Sequence, residues 1–148
     1  MSSWYFAYGS NMNPQRMRSR GLLFSEVLAG QLHGYELCFN KRAHDRPDTA
    51  YANIRHRQGA QVEGVLYRLN PETISILDRI EGAPEHYERM LLPVRRDEGE
   101  VLAWVYVATS AWRSTIARPS ADYLKHVVAG ADLASDGYRS SLVSLLEK

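Results

Sequence analysis

The stretch Trp4-Tyr5-Phe6-Ala7-Tyr8-Gly9-Ser10-Asn11-Met12-Asn13-Pro14 packs a strand, a turn and a helix start into one short run. The aromatic segment Trp4 to Ala7 suits a pleated strand, and Gly9 stops it. Asn13 is a good cap for the free N–H groups of a helix, and Pro14 suits its first position. Gly21 suits the left-handed residue after its end. A strand-to-helix turn of this kind points backbone N–H groups into one concavity, and glycine allows the conformations required. That geometry suits a carboxylate or an oxyanion; an ordinary turn is the plain alternative.

Outward from this turn, strands are expected over Val27 to Leu32, Tyr35 to Lys41, Tyr51 to His56 and Val62 to Leu69. His33-Gly34 reads as a tight connection between the first two of these. A second helix opens on Asn70-Pro71 and ends at Gly82, with Ile74, Leu77 and Ile80 on the face toward the sheet. Glu72 lies in its first turn, where the macrodipole favours a carboxylate. Tyr87 to Arg95 and Val101 to Ala108 follow as strands joined by Asp97-Glu98-Gly99, and Pro93 marks an edge or a bulge. Past Pro119 the pattern turns helical: Ser120 is a cap, Leu124, Val127 and Val128 share a face, and Leu142, Leu145 and Leu146 share another. Strands and helices do not alternate strictly, which argues against a doubly wound sheet. The expectation is one α+β domain over residues 1–148, a mixed sheet curled or closed into a barrel with flanking helices.

The 148 residues are enough for a real core. Eighteen Lys and Arg nearly cancel seventeen Asp and Glu, which removes long-range attraction to nucleic acid or anionic lipid. Arg16, Arg18 and Arg20 read as a solvated face. Cys38, the single cysteine, permits no internal disulfide and reads as a small buried side chain. Residues 1–6 lack a charged leader, and no apolar run approaches the roughly 20 residues that span a bilayer. A cytoplasmic protein without membrane contact is expected. The five histidines are scattered, and none pairs with Glu or His at helical spacing, so no metal is expected.

Tyr8-Gly9-Ser10-Asn11 after an aromatic first strand resembles the signature of the γ-glutamylcyclotransferase family. Further landmarks follow in the same order. Gly64-Val65-Leu66-Tyr67 is similar to the family's central strand, Leu77-Asp78-Arg79-Ile80-Glu81-Gly82 to its helix ending in a catalytic Glu-Gly pair, and Pro119-Ser120-Ala121-Asp122-Tyr123 to the segment opening its late helix. Tyr87 falls where the family has a tyrosine shortly after that pair. The likeness spans about Tyr5 to Leu142. It implies conversion of a γ-glutamyl amide into 5-oxoproline and a free amine, without a cofactor. It also implies Glu81 as the acid/base, a substrate pocket lined by Tyr5, Phe6, Ala7, Tyr8, Gly9, Ser10 and Asn11 with Tyr87 and Tyr123, and a homodimer. The leaving amine is left open. The Tyr-Gly-Ser-Asn form resembles the amino-acid and amine branches more than the glutathione-specific one.

In such a reaction the substrate's own α-amine attacks its γ-carbonyl, so no Ser or Cys nucleophile is needed. Oriented intramolecular attack is worth roughly 7–11 kcal/mol of barrier. What remains is proton traffic between two nitrogens, which one carboxylate can carry. An ordinary Glu at ~4.3 is a poor base toward an amine near ~8, by about 5 kcal/mol, and burial narrows the gap. Glu85 and Glu88 compete with Glu81 but are expected in solvent. Two other readings stay open: Ser10 as a hydrolytic nucleophile with His33, His56 or His126, and a silent domain that binds amino-acid derivatives at the Gly9 turn. The segment Arg42 to Asp48 is a lid, a specificity loop or a plain surface connection.

Overall fold

The computed structural model describes residues 1–148. Five strands form a closed barrel in the order β1-β3-β2-β4-β5: β1 Ser3–Ala7, β2 Val27–Arg42, β3 Ala50–Leu69, β4 Tyr87–Arg96 and β5 Gly99–Ala108. The first strand is the centrepiece. It pairs antiparallel with β3 (Tyr5 opposite Tyr67) and parallel with β5 (Tyr5 opposite Trp104). Trp4, Tyr5, Phe6 and Ala7 are all buried, as befits a strand covered on both faces and therefore apolar without alternation.

Its residues divide between two cores. Trp4, Phe6 and Tyr8 join Leu32, Ile54, Val62, Leu66, Val94 and Val105 in a cluster with no buried helical residue, which fills the barrel. Tyr5 and Ala7 face the other way. They pack with Val65, Tyr67 and Tyr106 and with the helices α1 (Pro14–Ser19), α2 (Pro71–Glu81), α3 (Ala121–Ala129) and α4 (Asp136–Leu146). At Gly64 a Cβ would stand 2.3 Å from the Ala7 carbonyl oxygen, so glycine there lets β1 seat against β3.

The helix punctuation falls where expected. Asn13 Oδ1 accepts from the Gln15 N–H at 3.0 Å, Asn70 Oδ1 from the Thr73 N–H at 2.8 Å and Ser120 Oγ from the Tyr123 N–H at 3.1 Å. Caps of this kind are worth about 1 kcal/mol each. Gly82 ends α2 in the left-handed region (φ 68°).

Three expectations need correction. His33-Gly34 is no connection between strands: β2 runs through it, and so does its partner β3. The register jumps from His33 opposite Gln61 to Tyr35 opposite His56, so residues 57–60 of β3 bulge against Gly34. Glycines at positive φ (Gly34 85°, Gly59 82°) serve a bulge as well as a turn. Ile80 is not in the face of α2 that packs on the sheet. Thr73, Ile74 and Leu77 are buried there, whereas Ile80 is 41 % exposed. The third correction concerns the arginines of α1 and belongs to the site. Pro93 lies on β4, which meets β2 only at Gln31 opposite Arg95, so the strand is edge-like on that side. No helix is long and apolar enough to cross a membrane.

Candidate active site

Where β1 runs into its turn, the structure encloses a cavity of about 490 Å³. Tyr5, Phe6, Tyr8, Gly9, Ser10 and Asn11 line one side, Ile80, Glu81 and Gly82 another, and Tyr87 and Tyr123 also face it. Of the residues expected here, only Ala7 is absent from the wall. Strand alternation turns its side chain into the helix-covered core, where it is 1 % exposed.

The turn is held rigidly. It forms a 3₁₀ helix, Ser10–Met12, and the Tyr67 hydroxyl from β3 donates to the carbonyls of Asn11 (2.7 Å) and Met12 (3.0 Å). The Gly9 N–H has no acceptor within the protein. A Cβ at Gly9 would meet the Tyr123 hydroxyl and the Ala52 Cβ at 3.0 Å, so glycine permits this close approach. Buried Asn11 links turn to carboxyl: its Nδ2 donates to Tyr5 Oη (3.1 Å) and reaches Glu81 Oε1 at 3.4 Å, while its Oδ1 accepts from Arg20 at 3.1 Å.

Glu81 is the last residue of α2, and Gly82 turns the chain away from it. The carboxyl faces the cavity and is otherwise enclosed, so the residue is neither fully buried nor exposed. Desolvation dominates its acidity and pushes the pKa up from 4.5 to about 7, against the opposing pull of Arg20, Lys41 and Arg16. Glu85 and Glu88 are exposed and lie outside the cavity wall.

Two tyrosines have double duties. Register slips between Cys38 and Lys41 of β2. The backbone of Ala52 on β3 is satisfied instead by side chains: its N–H donates to Tyr123 Oη (3.0 Å), and its carbonyl accepts from Tyr87 Oη (2.7 Å). The Tyr123 hydroxyl therefore keeps its own proton for a ligand. Burial lifts its pKa to about 12, so that proton stays. The Tyr8 hydroxyl is already committed to the Tyr106 carbonyl.

The arginine trio is not one solvated face. Arg16 and Arg20, four residues apart, lie on the inner side of α1 and line the cavity, and only Arg18 is exposed. Helical spacing carried this signal, since i and i+4 share a side. Arg16 Nε donates to Ser10 Oγ at 3.1 Å. An arginine cannot serve as a base, and His33, His56 and His126 are not in the cavity wall, so a Ser10 hydrolase built on any of these three has no geometric support. Lys41, Tyr51, Arg79, His86 and Tyr106 also line the cavity and were not singled out from sequence, and His44 and Asp45 reach it from the segment Arg42 to Asp48, expected as a lid, a specificity loop or a plain connection. Lys41, Tyr51 and Tyr106 reach it through strand register, which no local pattern reveals.

A closed mixed barrel that seats one raised carboxyl opposite a glycine turn defines a class of small-molecule enzyme sites. Residues 5–125 match the model of the family described as gamma-glutamyl cyclotransferase, AIG2-like. Among curated relatives, the mouse gamma-glutamylcyclotransferase is 32 % identical over 86 % of this chain and 69 % of its own length. The human protein of the same name is 30 % identical over the same shares. A solved structure titled gamma-glutamyl cyclotransferase superposes with a TM-score of 0.83 at 25 % identity, covering 97 % of this chain and 88 % of that one. An uncharacterized protein from Homo sapiens superposes with a TM-score of 0.86 at 26 % identity, covering 97 % and 87 %. The chain belongs to the γ-glutamyl cyclotransferase, AIG2-like family.

Proposed function

We propose that this enzyme folds a γ-glutamyl amide back on itself, closes the 5-oxoproline ring and releases an amine. The observation that carries the reading is Glu81, a carboxyl pushed up to about 7 inside the cavity and facing the turn that contains Gly9.

The substrate's glutamyl end lies against the turn, with the N–H of Gly9, Ser10 and the guanidinium groups of Arg16 and Arg20 supplying the positive surroundings its α-carboxylate needs. Its α-ammonium then faces Glu81. The carboxylate takes one ammonium proton, the freed amine attacks the γ-carbonyl, and the protonated Glu81 gives that proton to the departing nitrogen. The ring nitrogen sheds its second proton by the same carboxylate, and the amine product leaves as an ammonium ion. With the amine near ~8, the proton transfer is uphill by about 1.4 kcal/mol rather than about 5. The cavity holds the bent conformer and supplies the larger share of the rate.

The test is a mass-spectrometric screen of γ-glutamyl compounds for 5-oxoproline. Free glutamate as the product would point to hydrolysis, and no turnover of any compound would point to a binding role.

A further inference from the structure

At the end of the cavity formed by β2 lies a cation with no carboxylate in contact with it. Lys41 is 4 % exposed, yet it belongs to none of the protein's close ion pairs. Its ammonium sits among three aromatic rings, 4.9 Å from Trp112, 5.5 Å from Tyr87 and 5.7 Å from Tyr51. Its one hydrogen-bond partner is His86 Nδ1 at 2.8 Å. That imidazole stacks on Trp112 with centroids 3.5 Å apart, and burial and Lys41 hold its pKa down, so it accepts as a neutral ring. Arg42 lies 4.1 Å over the other partner of this stack, Trp112, and adds a second positive charge nearby.

A buried charge is normally paired, because desolvating it alone costs several kcal/mol. Aromatic faces and a neutral imidazole offset part of that cost, and the Glu81 carboxylate acts on Lys41 only across the cavity, with no ion-pair contact. The cavity thus has two positive stations: Arg16 and Arg20 tied to the turn, and Lys41 tied to His86, the residue just before β4. A γ-glutamyl amine brings one carboxylate, whereas a γ-glutamyl amino acid brings two.

The geometry points to Lys41 as the residue that selects the leaving group, by binding a carboxylate that this group carries. The inference rests on the cyclotransferase reading and assigns the leaving group within it: an α-amino acid rather than a simple amine. His86 holds the ammonium in place, and Tyr51 and Tyr87 exclude water around the pair, which strengthens it.

Two substrates that differ only in this carboxylate decide the matter: γ-glutamyl-L-alanine and γ-glutamylethylamide. Each is given to the full chain at a pH above the titration of Glu81 and below that of Lys41, which burial lowers from 10.5, with 5-oxoproline as the readout. The wild type should favour the alanine compound by about tenfold or more in kcat/KM, the scale of a charge-assisted hydrogen bond. Lys41→Met should lose most of that factor, chiefly through KM, and change the ethylamide by less than about threefold. Lys41→Arg should keep the preference. Equal wild-type rates, or a Lys41→Met loss shared by both compounds, overturns the assignment. Should Lys41→Met fail to fold, Lys41→Gln takes its place, and equal wild-type rates still overturn the assignment. No 5-oxoproline from either compound would overturn the cyclotransferase reading itself, and this proposal with it.

Discussion

Asn11 Nδ2 lies 3.4 Å from Glu81 Oε1 and joins the first turn of the chain to the end of a helix 70 residues later. One amide therefore couples the turn, the Tyr5 hydroxyl, Arg20 and the carboxyl, so the site is built as one connected unit.

The first consequence is a shift in the pH profile. Glu81 must be ionised to accept a proton, so kcat/KM should rise through a pKa of about 7 rather than near 4.5. Rates measured across that range check this.

Arg20 favours the ionised carboxyl and opposes burial more strongly than Lys41 or Arg16 does. Arg20→Met should therefore move the rising limb of the profile to higher pH. A limb moved to lower pH, or not moved at all, would contradict the assigned electrostatics.

Stability should run opposite to activity. A carboxyl whose folded pKa is raised binds protons more tightly in the fold, so it costs stability increasingly as pH climbs from 4.5 toward 7. Glu81→Gln should remove that cost and gain about 1–3 kcal/mol above neutral pH, allowing for screening at the open side, and almost nothing in acid. Urea denaturation at the two pH values checks it.

How much of this was legible beforehand follows from the kind of signal each element carries. Caps such as Asn13, Asn70 and Ser120 are local chemistry, and they were readable. The aromatic run of β1 announced burial on both faces, and the resemblance placed Glu81 and Tyr123. Lys41 was not readable, because β2 and β3 slip in register and cross-strand placement depends on that slip, and His86 was not, because it sits in the connection between α2 and β4. Arg16 and Arg20 were readable by their spacing but were outweighed by the general habit of arginines to face water.

The seat of β1 should tolerate no side chain at Gly64. Gly64→Ala drives a methyl to 2.3 Å from the Ala7 carbonyl oxygen and 2.8 Å from the Phe6 ring. A loss of about 1–3 kcal/mol or more is expected, with activity falling as the turn shifts. Gly137→Ala, on α4 with no neighbour within 4 Å, should instead gain roughly 0.5–1 kcal/mol. Thermal unfolding of the two variants side by side makes the comparison.

The central measurement compares 5-oxoproline formation by the wild type and Glu81→Gln on the best γ-glutamyl substrate, with circular dichroism to verify the fold. The account predicts a folded variant slowed by about 10²–10⁴. A folded Glu81→Gln protein with near-normal turnover would contradict it, because no other cavity carboxyl except exposed Asp45 could carry the proton.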